Sequence, residues 1–273
     1  MIKKVKIKVF LALMNKKLKL QFILFIFFPL ILIFSSASAS TSSTDFLSRQ
    51  KIFYKVMELS NAEIKTLNEN LNNLKIDNKD YAQKREEFLK KLSEFEIYNK
   101  EVKEKISKTE TLEDLKNLAV EFKNWREQTY NPQIQIMIDF SLILKQQEIL
   151  ATTSERFEKI SKDVKKLTNL GAEQKQQLNS LLETAKEKLN SANDFFQKAK
   201  IELDNYLFHS STELATTTST ENTTSNLATT TESIEIKKQF NHFECQELIK
   251  KSFETIKEIY EIFLKMSDLV KAT

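Results

Sequence analysis

Glycine is almost missing from this chain: 273 residues contain one, Gly171, beside two prolines, Pro29 and Pro132, and one cysteine, Cys245. Each shortage excludes something. Sheets with tight hairpins and phosphate-cradling loops need glycine where φ is positive or where the backbone must approach a ligand closely. A lone Cys245 forms no internal disulfide, so stability has to come from the core. Cys245 itself is either a small buried apolar residue or a free thiol, and its place on the last helix favours burial. What such a composition leaves is long helices joined by polar breaks. Arginine is scarce as well, limited to Arg49, Arg85, Arg126 and Arg156. Lys, Asn, Ile and Phe are the residues A/T-rich codons specify, so spacing is the better guide than composition.

The formal charge of +4 comes from the first residues. Residues 1–39 hold seven of the 42 Lys and Arg and none of the 38 Asp and Glu, so the remainder carries 35 basic against 38 acidic residues, a net of −3. A slightly acidic chain lacks the basic footprint that nucleic-acid binding requires. Within residues 14–39, a basic start precedes the apolar run Phe22 to Phe34 and then Ala37-Ser38-Ala39. Small residues there suit a signal peptidase cutting after Ala39. The run of thirteen residues is shorter than the roughly 20 needed to span a bilayer. The expectation is a signal peptide over 1–39, with translation starting at Met1 or Met14, membrane contact only in transit, and a protein that is secreted, periplasmic or at the cell surface.

From residue 45 onward the apolar residues recur at alternating steps of four and three. Phe46, Gln50, Phe53, Met57, Ser60, Ile64, Leu67, Leu71 and Leu74 are apolar at seven of nine positions, a coiled-coil seam rather than a broad stripe. Asp77-Asn78-Lys79-Asp80 interrupts it, and Tyr81, Arg85, Phe88, Leu92, Phe95, Asn99, Val102 and Ile106 repeat it. Two similar seams around a short polar break predict an antiparallel hairpin of helices over 45–76 and 81–107. Thr111 followed by Asp114 reads as a capped helix start. This third helix is expected over 112–130, stopping at Pro132, with a fourth over 132–169. The opening of the fourth, Ile134 to Leu144, is apolar at eight of eleven positions and is expected to be buried nearly all round. Gly171 is expected as the left-handed residue past its end. A fifth helix over 173–208 has the cleanest seam: Leu178, Leu182, Ala185, Leu189, Ala192, Phe196, Ala199, Leu203 and Tyr206.

Between Ser210 and Ser233, fifteen of 24 residues are Ser or Thr, and Leu-Ala-Thr-Thr-Thr occurs twice. So little apolar surface predicts a flexible exposed linker; Asn222-Thr223-Thr224 within it fits the glycosylation pattern. Residues 234–273 then predict an amphipathic helix with Phe240, Phe243, Ile249, Phe253, Ile256, Tyr260, Phe263 and Val270 on one side. That face must return to the bundle or meet another chain.

Candidates for chemistry are few. His242 and Cys245 share a helix face, but two ligands are half a metal site, and cysteine–histidine catalysis would need a third orienting group. The acid pairs Glu86-Glu87, Glu113-Asp114 and Glu202 with Asp204 sit in Lys/Glu-rich helical contexts, where solvated charge is the ordinary explanation. Asp139 falls inside the most apolar segment, where an unpaired carboxylate is costly, so it is expected to find a partner or face out. Trp125-Arg126-Glu127 and Tyr130-Asn131-Pro132 gather rare residues in one stretch. Trp125, Arg126 and Tyr130 read as a partner-contact cluster or, more simply, as the corner where two helices meet.

The stretch Thr111-LEDLKNLAVEFKNWREQTYNPQIQ, with Phe157-EKISKDVKKL, resembles segments of uncharacterised exported long-helix proteins of small-genome bacteria, with Trp-Arg-Glu and Tyr-x-Pro as its specific part. The resemblance implies export and a long-helix bundle, and it carries over no functional residue. Together the expectation is an all-α, elongated antiparallel helical bundle of coiled-coil hairpins. Its expected role is as a non-enzymatic structural or protein-interaction module without cofactor or metal, meeting a protein partner or itself through helical seams. The alternative is a bundle that holds an apolar or lipid ligand between its helices.

Overall fold

The computed structural model describes residues 43–209 and 240–271. The leader over 1–39, the Ser/Thr-rich segment over 210–233 and Asn222 lie outside the described residues. Those described are 91% helical, with no strand. We number the helices α1 (Ser43–Asn72), α2 (Lys79–Lys108), α3 (Leu112–Trp125), α4 (Asn131–Lys165), α5 (Ala172–Asp204) and α6 (His242–Lys271).

The seams predicted from spacing are the buried faces. Phe53, Met57, Ser60, Ile64, Leu67, Leu71 and Leu74 of the first, and Tyr81, Phe88, Leu92, Phe95, Asn99, Val102 and Ile106 of the second, are all buried. The polar members of the two seams meet: Asn99 Nδ2 donates to Ser60 Oγ at 3.0 Å and to Asn61 Oδ1 at 2.8 Å. A polar pair in an apolar seam fixes the register of the hairpin, because a slipped pairing would leave it unsatisfied. Asn78 caps α2 by accepting from the N–H groups of Asp80 and Tyr81, and Thr111 caps α3 by accepting from that of Asp114.

The expected stop at Pro132 is not a stop. α3, a π turn over Arg126–Tyr130 and α4 follow one another without a break, 14, 5 and 35 residues in succession, 54 in all. At about 1.5 Å per residue this rod is on the order of 80 Å long. Proline has no N–H for the carbonyl four residues back and its ring crowds that carbonyl. Here the wider turn absorbs the conflict: Asn131 N–H reaches back to Arg126 O, and Trp125, Arg126, Tyr130 and Asn131 all keep right-handed helical dihedrals. Gly171 also departs from expectation. α4 has already ended at Lys165, and Gly171 stands in front of α5 with φ −59°, its N–H donated to Gln174 Oε1 at 3.3 Å.

Two three-helix bundles share the long rod. At its N-terminal half α1 runs parallel to it (Phe53 beside Phe122, Glu63 at Tyr130, Lys75 at Glu148) and α2 antiparallel (Tyr98 beside Trp125, Phe88 beside Phe140). At its C-terminal half the partners are α5 and α6. α6 packs against α5 and α4, so the apolar face left open by sequence is covered within the chain. The closest pair is antiparallel α5 and α6. Ala185, Ala192 and Ala199, seven residues apart, are fully buried there, and Ser252 Oγ donates to Ala192 O at 2.6 Å. Small side chains let two helix backbones approach closely.

Candidate functional site

Trp125, Arg126 and Tyr130 are brought together, and they face inward. The Trp125 ring stacks on Tyr98 with centroids 4.1 Å apart and touches Phe95, Phe122 and Tyr130. It joins the terminal core of Phe53, Met57, Val102, Ile106, Leu115, Leu118 and Phe122 to the larger core that fills the rest of the molecule. Tyr130 is fully buried and donates to Glu63 Oε2 at 2.9 Å, while the Arg126 guanidinium lies over its ring at 4.7 Å and reaches the same carboxylate at 3.5 Å. Burial pushes the Glu63 carboxyl above its ordinary range, against the pull of Arg126 and the two hydrogen bonds, and burial also pushes the Tyr130 phenol up. The cluster is therefore a joint between α1, α2 and the rod, and Tyr130 has no surface to present. Glu63 is the member the spacing did not flag. It flanks the α1 seam at Ile64, and its partners lie more than sixty residues away, beyond any local pattern.

Asp139 is fully buried where α6 begins. Its Oδ2 lies 2.7 Å from His242 Nδ1, and its Oδ1 accepts from Gln246 Nε2 at 2.7 Å and Gln135 Nε2 at 3.5 Å. Burial holds this carboxyl above the ordinary carboxylate range, and the His242 and Gln246 contacts only partly offset it. The neighbouring Cys245 turns the other way, its Sγ 3.8 Å from Ala199 O, and burial raises its pKa. His242 and Cys245 thus make their contacts at two different interfaces, with α4 and with α5. Nearby, Tyr81 of α2 donates to Asp204 of α5, which also pairs with Lys200 at 2.5 Å. Burial, reinforced by that hydrogen bond, pushes the Tyr81 phenol up to about 12.

The remaining acid pairs do what solvated helix surfaces do. Glu86 pairs with Arg85, Glu87 with Lys84 and Glu113 with Lys116, while Asp114 belongs to the Thr111 cap. The apolar opening of α4 is filled by protein: Ile134, Ile136, Met137, Phe140 and Ile143 are part of the main core. A recess of about 430 Å³ between α4 and α5 is open to solvent and mixes Leu150, Leu189 and Phe196 with Gln147, Ser154 and Asn193. No helix among the described residues is long and apolar enough to cross a membrane. Comparison with known protein families, with curated proteins and with solved structures finds no match to this chain.

Proposed function

We propose that the protein is an exported, non-enzymatic helical scaffold that presents long charged surfaces to a protein partner. The supporting observation is how the apolar residues are spent. The strong seams are consumed inside the chain, and the described titratable clusters lock helices to one another at joints. What reaches solvent is Lys/Glu faces on helices packed around a rod of roughly 80 Å, with isolated apolar side chains such as Leu59, Ile97, Val120, Ile201 and Phe243, each on a different helix. Single exposed apolar residues are ordinary on a monomer surface, yet spread over several helices they are suited to anchor a long contact. Export rests on the leader, and the family resemblance points the same way.

The test uses the full chain in its own cells. A photoreactive residue replaces Ile97 or Phe243 on the outside, and Leu92 in the core as control. The expected result is a discrete cross-linked adduct from an outer position only, on protein that protease can reach in unbroken cells and that has lost its leader. A protein held in the cytosol with the leader intact, or outer positions that never yield an adduct, overturns the reading.

A further inference from the structure

The start of α6 joins a buried carboxylate of α4 to an imidazole. We propose that Asp139 and His242 form a proton-operated clasp holding the first turns of α6 on α4, tight in mildly acidic surroundings and loosened as the medium turns alkaline.

Both oxygens of Asp139 are engaged, one by His242 and one by Gln246, and both of those residues come from the first two turns of α6. With the imidazole protonated, the contact is an ion pair with a charge-assisted hydrogen bond in a low-dielectric site. With the imidazole neutral, Nδ1–H still donates, but the buried anion faces no other cation among the described residues. The other titratable groups described about this seam add none. Gln135 on α4 and Gln246 on α6 are neutral, Glu202 on α5 and Glu244 on α6 are acids acting on the same neighbourhood, and the Cys245 thiol is kept neutral by burial. On α2, Tyr81 packs on Phe140 but gives its hydroxyl to Asp204.

Two effects run the same way. A carboxyl whose folded pKa lies above its unfolded value contributes stability at low pH that is lost as pH rises through the folded pKa, and Asp139 is such a group. Loss of the imidazole proton leaves the buried carboxylate without a charged partner. α6 keeps its own cap, Asn241 Oδ1 accepting from Glu244 N at 3.1 Å, so the proton acts on docking rather than on helix formation.

The chain carries its own reporter. Cys245 is its only cysteine, buried against α5 three residues from His242, so alkylation requires the start of α6 to lift. The experiment measures maleimide labelling of the full chain between pH 6 and 8.5. Each rate is divided by the rate for the urea-unfolded chain at the same pH, which removes the titration of the thiol itself. The expected result is protection that falls severalfold toward the alkaline end, in the direction set by a carboxyl whose folded pKa lies above its unfolded value. Asp139→Asn keeps an acceptor for Gln246 but no charge, so its protection should be flat with pH. His242→Gln should lower the slope to the carboxyl's own contribution, and Glu63→Gln, at the partly buried carboxyl of the Trp125 joint, should leave it in place. Flat protection in the unmodified chain, or an unchanged slope in Asp139→Asn, overturns the clasp. Should circular dichroism show that Asp139→Asn does not fold, the variant at the partly exposed His242, His242→Gln, decides alone, and an unchanged slope there overturns the clasp.

Discussion

Gln146 shows how much the α4–α6 interface depends on single partners. α4 places Asp139, Gln146 and Thr153 seven residues apart, all fully buried. Asp139 meets Gln246 and Thr153 meets Tyr260, each across an offset of 107 residues. The same offset sets Phe253 opposite Gln146, and neither polar atom of that amide has a hydrogen-bond partner among the described residues. Leaving buried donors and acceptors unmade costs about 1–3 kcal/mol. Gln146→Leu should therefore raise unfolding stability by about 1–2 kcal/mol, read from urea denaturation, since the flanking pairs still hold the register. A destabilised variant would contradict this account of the interface. Some of this was legible beforehand: Asp139 stands out as an acid in an apolar run, and Ser60 and Asn99 as gaps in seams. Their partners were not, because spacing along one helix says nothing about which residue a second helix brings opposite. The metal-like pair His242 and Cys245 shows the same limit. Two residues three positions apart on one helix are separated by the two neighbours they serve.

Between elements, the decisive feature is the alanine repeat of α5. Ala185, Ala192 and Ala199 face Cys245, Ser252 and Ile259, also seven apart, all buried. Ala192→Leu adds branched bulk where Ser252 Oγ already sits 2.6 Å from the Ala192 carbonyl. Overpacking of this kind costs about 1–3 kcal/mol or more, so a clear fall in melting temperature is expected, and an unchanged one would mean the two backbones are not close. Gly171 leads to the opposite sign. Its φ is negative, and an added Cβ would meet only Gln174 Oε1 at 3.8 Å. Gly171→Ser should stabilise by about 0.5–1 kcal/mol, through a side-chain cap and a less flexible unfolded chain; a loss in thermal unfolding would count against the cap position. Helix existence and face were readable because period 3.5 is a local property. The two junctions depart from the sequence expectation because proline and glycine rules are local too, and do not report what the flanking helices do. Trp125 and Tyr130, both locked into aromatic contacts, keep the rod continuous through its π turn. A second π turn, Asn205–His209, moves the buried face from Tyr206 to Leu207 at the end of α5.

At the scale of the molecule, the two bundles differ in what α6 means to them. The terminal cluster of Phe53, Met57, Val102, Ile106, Leu115, Leu118 and Phe122 is separate from the core that α6 joins. α6 contributes Ile249, Phe253, Ile256, Ile259, Tyr260, Ile262, Phe263 and Met266 to that larger core, and each is nearly or fully buried. At roughly 1.5–3 kcal/mol for each large apolar side chain removed from water, losing eight exceeds the net stability of most domains. A chain ending at residue 209 should therefore keep helical signal from α1, α2 and α3 while α4 and α5 lose their packing and associate through the uncovered face. Circular dichroism would show a reduced, broadened melt, and light scattering would show growing particles above a modest concentration. The separation of the two outcomes is what makes the experiment informative. A truncated chain that stays monomeric and melts as before would mean that α6 is dispensable to the bundle, and that its apolar face is kept for another chain.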